Sequence, residues 1–177
     1  MIARFNGKAE KALREAIGRV PRAEVEQIDA ALAGLTDAER SEAIFLGTLV
    51  ACYVAVDACG SQWPDNANLR QIAEDLATTG TTAERLHLDA GEIYAYLSRT
   101  ALGPEPLRDV IPDYAEGTRL AIVVAQRAIV VYSPKDTSIW DYLDRIESSI
   151  ELALALDPTV LPAAVMRAYL PKPAAQG

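Results

Sequence analysis

The chain has 177 residues, of which half are hydrophobic, and its formal net charge at pH 7 is −8, with an isoelectric point near 4.7. This length suits one domain with a sizeable core, and the hydrophobic fraction excludes disorder of the whole chain. The acidic balance argues against a nucleic-acid binder and against a protein that binds anionic membranes. We therefore expect a soluble protein.

Charge is unevenly distributed along the chain. Six basic and two acidic side chains give residues 1–22 a net charge of +4, which leaves −12 for the remaining 155 residues. Apolar residues recur in this basic segment at helical spacing. The segment could dock on an acidic partner or pack against the acidic body of its own chain, and we favour the second interpretation. It contains no apolar run that would act as a signal peptide.

The first three helices are bounded by proline, by glycine and by a capping motif. The first helix should end before Pro21, because proline disfavours helical geometry in the residue that precedes it. A second helix is predicted over 22–33. Thr36 and Glu39 match the capping box, in which each side chain satisfies a free amide at the start of a helix, and this third helix should run to Cys59.

The longest apolar stretch, residues 44–59, lies in the third helix. It has sixteen residues and includes Asp57, whereas a membrane span needs about 20 apolar residues. We interpret it as a buried central helix. Cys52 and Cys59 lie about 10 Å apart along its axis, too far to form a disulfide with each other. Two thiols fit a cytoplasmic protein.

The rest of the chain continues as helices and connections. In order, the sequence predicts a loop at 60–66, a helix to 78, a break at 79–82, a helix to 100 with a restart at Asp89, a proline-rich connection at 103–112, and helices at 113–132, 137–156 and 159–170.

Residues 120–132 are rich in β-branched side chains and could form a strand. Thirteen residues is long for a strand, however, and no second strand of comparable quality could pair with it. We therefore predict an all-α fold. It should be a compact bundle of seven to nine helices in a single domain, residues 1–170, followed by a flexible C-terminal tail at 171–177.

An internal repeat is suggested by the similarity of residues 36–99 to residues 110–170. An offset of 74 pairs Leu46 with Leu120, among others, and each segment closes on the sequence Ala-Tyr-Leu. A true duplication would give two pseudo-symmetric helical halves. The alternative is that two amphipathic helices of similar length can always be aligned in part.

Residues able to carry out chemistry are few. The single histidine, His87, follows Glu84 at the spacing used in di-iron bundles, but those sites need a second copy of the motif. A ridge of Asp141, Asp144 and Glu147 could hold Mg²⁺, yet a basic residue interrupts it, and we interpret it as a solvated acidic face. We predict no metal and no cofactor, and no catalytic residue can be named.

Two charged residues stand in helices that are otherwise apolar, Asp57 near the end of the third helix and Arg127 within 113–132. A buried charge needs a partner, because an unpaired one is destabilising by several kcal/mol. Three arrangements are open: an ion pair between Asp57 and Arg127, a cavity in which Arg127 binds an anionic ligand, or an Arg127 that is exposed at the surface.

Aromatic residues supply further candidate contacts. Trp63 lies in a loop before Pro64 and is equally compatible with the core and with a partner surface, because tryptophan is favoured at interface hot spots. Trp140 follows the start of a predicted helix, and we favour a position in the core over a partner contact. Tyr53 precedes Asp57 by one helical turn and would line a pocket there.

The leading hypothesis for function rests mainly on the absence of catalytic and cofactor motifs. It is a non-catalytic soluble interaction protein of the cytoplasm, an adaptor, inhibitor or immunity-type factor whose acidic surface would suit a basic protein partner. The alternative is a small-molecule-binding bundle, or a cofactor-free enzyme, with a pocket between the halves near Tyr53, Asp57 and Arg127. A third hypothesis is a homodimer, which predicts an exposed apolar face on 113–132.

Overall fold

The computed structural model describes residues 5–19, 25–78 and 88–156. Over these residues the chain forms eight helices and no strand, so the predicted all-α bundle is confirmed. The helices are α1 (Gly7–Arg19), α2 (Val25–Leu32), α3 (Asp37–Ala58), α4 (Asn66–Thr78), α5 (Ala90–Ala95, continued by Tyr96–Ala101), α6 (Leu107–Val110), α7 (Tyr114–Tyr132) and α8 (Ile139–Leu156).

Helix starts follow the capping residues that the sequence offers. The capping box of Thr36 and Glu39 begins α3 as predicted. A second capping box, formed by Asp89 and Glu92, begins α5 at the predicted restart. Asp113 caps α7 by accepting a hydrogen bond from the amide of Glu116 at 2.9 Å. Each cap satisfies an amide that has no partner within its own helix, which fixes where the helix begins.

The centre of the bundle is the pair α3 and α7. Their contact is the most extensive between any two described helices, and α1, α4 and α8 pack around them. The middle turns of both central helices are apolar on all sides, which is expected of a segment that must be covered completely. The strand alternative for 120–132 is excluded, because this stretch lies within α7.

Helix α3 is long and apolar enough, by length and composition alone, to cross a membrane. However, 61% of its most apolar stretch is buried inside the bundle. Burial of this kind is what the core helix of a soluble protein shows, and it agrees with the interpretation of residues 44–59 as a central helix.

The end of α5 departs from regular α-helix. Residues Tyr96–Ala101 form a π-helical turn, in which the amide of Leu102 donates to the carbonyl of Leu97, five residues back, at 2.9 Å. A chain connection, residues 102–113, then crosses to α7 and contains the short helix α6, which the sequence analysis did not predict. Turns of the π type are rare and occur frequently at functional sites.

The helix boundaries are compatible with the offset of 74. Shifted by this offset, α3 spans 111–132 and α4 spans 140–152, close to the observed α7 and α8. This agreement does not establish a common structure for the two halves, so the duplication remains a prediction.

Some predictions fall outside the described residues. These are the break at 79–82, the pair Glu84 and His87, the helix at 159–170 with the second Ala-Tyr-Leu, and the tail at 171–177.

The basic N-terminal helix packs on its own chain. Arg14 of α1 pairs with Asp144 of α8 at 2.6 Å and also with Glu147, while Lys8 lies 3.6 Å from Glu39. The preferred interpretation of the basic segment is therefore confirmed. The interpretation of the acidic ridge as fully solvated is wrong at Glu147, which is only 6% exposed. Packing of α1 against α8 covers this residue.

Burial raises the pKa of Glu147 to about 7, although the ion pair with Arg14 opposes the shift. A carboxyl group whose pKa is higher in the folded state than in the unfolded chain contributes stability that is fully present at low pH, below its unfolded-state pKa near 4.5. That stabilisation is lost as the pH rises through about 7.

We expect Glu147→Gln to remove this dependence. The free energy of unfolding of the wild type minus that of the variant should decrease as the pH is raised from 5 to 8. Chemical denaturation at each pH measures both free energies. Glu151→Gln on the same helix controls for the loss of one negative charge. A difference that is constant or rises over this range would contradict the assignment.

Candidate functional site

A cavity of about 380 Å³ lies at the N-terminal half of α3. It is bordered by α3, by the π-helical turn, by the 102–113 connection and by the first turns of α7, and it is open to solvent at its mouth. Its apolar lining is formed mainly by Ile44, Phe45, Leu107 and Ile111, together with the prolines of the connection. We call it the Thr100 cavity, after the hydroxyl described below.

One glycine allows the connection to form this wall. A Cβ atom at Gly103 would overlap the carbonyl oxygens of Arg99 and Ser98, so only glycine allows the chain to fold back onto the π-helical turn. Glu105 holds the fold-back, because its amide donates to the carbonyl of Arg99 at 2.9 Å and its carboxylate pairs with the Arg99 guanidinium. Gly117 of α7 is buried against Leu107.

Three threonine side chains line the cavity, and two of them have partners. The Thr48 hydroxyl donates to the carbonyl of Ile44 at 2.9 Å and accepts from the hydroxyl of the buried Tyr96 at 3.0 Å. The Thr118 hydroxyl donates to the carbonyl of Tyr114 at 2.8 Å. Both donate to the carbonyl four residues back, which is the usual local acceptor for a hydroxyl within a helix.

The third hydroxyl, that of Thr100, has no partner. Thr100 is 7% exposed, and its oxygen atom is buried without a hydrogen bond. It belongs to the π-helical turn, where the wider ring of backbone hydrogen bonds moves the carbonyls out of their α-helical positions. A buried hydroxyl without a partner destabilises a protein by about 1–3 kcal/mol, so such a group calls for an explanation.

Charged groups lie around the mouth of the cavity rather than in its interior. Arg108 is exposed beside Asp109, at 3.5 Å, and Glu105 is engaged with Arg99. Asp113 is exposed and caps α7. The walls therefore present apolar surface and hydroxyl groups, with no charged group in the interior.

Chemical catalysis is poorly supported at this site. The cavity lining contains no histidine, cysteine or lysine, and no base lies within hydrogen-bonding distance of the Thr100 hydroxyl. An unactivated threonine is a weak nucleophile. Among the residues that the structure describes, no group of three potential metal ligands is found either. The arrangement is suited to binding.

The residues predicted for a pocket lie elsewhere. Asp57 is at the C-terminal end of α3, roughly 13 Å along the axis from Thr48. It accepts a hydrogen bond from the Tyr142 hydroxyl at 2.6 Å and lies 3.8 Å from Arg145, whose guanidinium stacks on the Tyr142 ring. Burial, followed by the hydrogen bond to Asp57, raises the pKa of Tyr142. The partially buried Tyr53 packs against the core nearby.

Arg127 is buried but is not paired with Asp57, so the predicted ion pair is wrong. The alternative of surface exposure is also wrong, because the residue is 2% exposed. Its Nη1 donates to the carbonyl of Leu76 at 2.8 Å, in the last turn of α4. The carbonyls of a last turn lack intrahelical donors and carry partial negative charge, so the guanidinium caps α4. Burial lowers the pKa of Arg127.

An anionic ligand for Arg127 remains a prediction. The Nε and Nη2 atoms are buried without a hydrogen bond, but the residue does not line the Thr100 cavity.

The two tryptophans differ in environment. Trp63 is partially buried and packs against the core. Trp140 is 40% exposed, with its ring over Gly18 of α1, so the favoured position in the core is wrong for this residue. An apolar homodimer face on 113–132 is also wrong, because α7 is the most completely buried helix and exposes only its two ends.

The residues predicted for a site did not include Thr48, Thr100 or Thr118. A usable signal was present in the proline-rich connection, because a segment of this kind cannot cover two apolar helices as closely as a continuous helix does. Comparison of the chain with protein-family models, with curated proteins and with solved structures finds no match. The site is therefore defined by its geometry.

We expect Thr100→Val to stabilise the unliganded protein by about 1 kcal/mol, because it replaces a buried hydroxyl that has no partner with a methyl group. Thermal and urea unfolding would measure this. The matched variant Thr118→Val removes a hydroxyl that has an acceptor, and it should give no stabilisation. A destabilised Thr100→Val variant would show that the hydroxyl has a structural partner.

Arg127→Met should lower the free energy of unfolding by less than about 2 kcal/mol, because the lost carbonyl hydrogen bond is offset by relief of desolvation. Amide exchange should increase in the last turn of α4. In the double variant that also carries Asp57→Asn, the losses of unfolding free energy of the two single variants should add within about 0.5 kcal/mol, as expected for uncoupled sites. A larger coupling energy would restore the ion-pair hypothesis.

Proposed function

We propose that this protein binds a small molecule in the Thr100 cavity. The observation that carries the proposal is the cavity itself, whose walls are mainly apolar and are formed by α3, the π-helical turn, the 102–113 connection and α7. A ligand would fill space that the side chains leave empty. The proposal corresponds to a small-molecule-binding bundle, with the pocket at the N-terminal rather than the C-terminal end of α3.

The size of the cavity supports this proposal. Ligand pockets in proteins range from about 300 to 1,000 Å³, and they combine apolar walls with a few polar groups that orient the ligand. The observed 380 Å³ suits a molecule of two or three rings.

A neutral fluorescent probe tests the proposal. 1-Aminoanthracene, whose emission rises in apolar surroundings, should bind the wild type with one site per chain. Ser41→Trp would place an indole over the mouth of the cavity and should weaken binding at least tenfold. Ser148→Trp, at an exposed position of α8, is the matched control and should bind like the wild type. A wild type that does not bind the probe, or a Ser41→Trp variant that binds it equally well, would refute the proposal.

A second candidate is a protein-interaction role for the acidic surface. It is favoured by the outer face of α8, where Trp140, Asp144, Ser148 and Leu152 are spaced four residues apart and are all exposed. An exposed tryptophan and leucine on one acidic helix face would suit a partner with basic and apolar groups. A cytoplasmic location fits both candidates, since Cys52 and Cys59 remain thiols.

Capture at different salt concentrations tests this second candidate. The tagged protein should retain a stoichiometric protein partner at low ionic strength and should release it as the salt concentration rises. Substitution of both Trp140 and Leu152 by alanine should abolish retention, whereas Ser41→Trp should not affect it. Recovery of the protein alone at low salt would contradict the candidate.

A further inference from the structure

We infer that the ligand of the Thr100 cavity is an amphipathic organic acid, which places an apolar body in the cavity and one carboxylate at its mouth, beside Arg108. This inference rests on the proposed function, since it specifies what occupies the same site. It follows from the way in which the polar groups of the lining divide between the interior and the mouth.

The interior of the cavity offers a ligand apolar surface and no free donor. Most of this surface comes from four apolar side chains of α3 and the connection, Ile44, Phe45, Leu107 and Ile111. The hydroxyls of Thr48 and Thr118 already donate to backbone carbonyls, and the Thr100 oxygen is buried where a ligand does not reach it. A polar group in the interior would lose its hydrogen bonds to water without replacement, so the body of the ligand is apolar.

The mouth, in contrast, carries hydroxyl groups that are free to bind a ligand. Ser41 at the start of α3 and Tyr114 at the start of α7 line the cavity, and both residues are exposed. Neither hydroxyl forms a hydrogen bond with another residue in the part of the chain that the structure describes. A ligand whose polar end lies at the mouth can therefore accept hydrogen bonds from these hydroxyls without breaking a bond within the protein.

Arg108 favours an anion at this polar end. It lines the cavity, its side chain is 83% exposed, and its one ion pair within the described ranges joins its Nε to the adjacent Asp109 at 3.5 Å. An ion pair between two exposed side chains contributes at most about 1 kcal/mol. This pair also leaves both terminal nitrogens of the guanidinium available, and a guanidinium binds a carboxylate through two parallel hydrogen bonds.

The acidic groups of the lining, unlike Arg108, have structural roles. Glu105 is paired with Arg99 and holds the fold-back of the connection, and Asp113 caps α7. A cationic ligand would have to compete with Arg99 or with the capped amide for these carboxylates. An anionic ligand would displace only the exposed contact between Arg108 and Asp109, so the structure favours an acid over an amine.

Three compounds on one two-ring skeleton test the inference by displacement of 1-aminoanthracene at low ionic strength. Diphenylmethane is uncharged, 4-benzylbenzoate carries a carboxylate, and 4-benzylbenzylamine carries an ammonium group at neutral pH. Each is titrated against the wild type, Arg108→Gln and Lys135→Gln. Lys135 is exposed in the turn that follows the opposite end of α7, so Lys135→Gln is the matched control for the loss of one positive charge.

The wild type should bind 4-benzylbenzoate at least about threefold more tightly than 4-benzylbenzylamine, and this preference should shrink as the salt concentration rises, because exposed charges are screened. Arg108→Gln should weaken the binding of 4-benzylbenzoate about three- to tenfold, because a charge-assisted hydrogen bond is lost. It should change the affinity for diphenylmethane by less than about twofold, since the apolar interior is unaltered. Lys135→Gln should bind all three compounds like the wild type.

The possible failures are distinguishable. If diphenylmethane and 4-benzylbenzoate both bind the wild type and Arg108→Gln affects them equally, the role of Arg108 is overturned while the binding function stands. If 4-benzylbenzoate binds the wild type no more tightly than 4-benzylbenzylamine, the acidic class of ligand is overturned. If neither the probe nor any of the three compounds binds the wild type, the proposed function itself fails. Circular dichroism and unfolding curves establish that each variant is folded.

Discussion

The structure depends on one constraint, that the middle turns of α3 and α7 are apolar on all sides and must be covered completely. Helices α1, α4 and α8 meet this requirement over most of the pair. At the N-terminal half of α3 the cover is instead the 102–113 connection, which contains only one short helix and several prolines. Such a segment cannot interdigitate as closely as a long helix does. The cavity is the space that remains.

The same constraint governs the polar groups within the two central helices and their neighbours. Thr48 and Thr118 are satisfied locally, Asp57 by Tyr142, and Arg127 by the end of α4. Each arrangement lowers the free energy of placing a polar group in an apolar environment. Thr100 lacks any such arrangement, and it is also the threonine that belongs to a π-helical turn. The irregular backbone and the unpartnered hydroxyl are therefore one feature of the fold.

Local signals predicted the fold well. Capping boxes, Pro21 and the apolar run of α3 depend on residues close in sequence, and they located the described helices to within a few residues. The partners of Arg127 and Asp57 and the exposure of Trp140 could not be obtained in this way, because they depend on how the helices rotate against one another. The π-helical turn was equally hidden, since Tyr96–Ala101 has no sequence mark that separates it from ordinary helix. The cavity, which was not predicted, is bordered by this turn and by helices that are distant from it in sequence.

The unfilled volume of the cavity makes the empty protein less stable than its filled form would be. A ligand that binds only the folded chain stabilises it in proportion to the logarithm of its concentration. Cellular proteases degrade chains according to how often they unfold. With the cavity occupied as proposed, the chain would persist longer where its ligand is abundant and be removed faster where the ligand is scarce. The abundance of the protein would then report the supply of that molecule without any dedicated control of its synthesis.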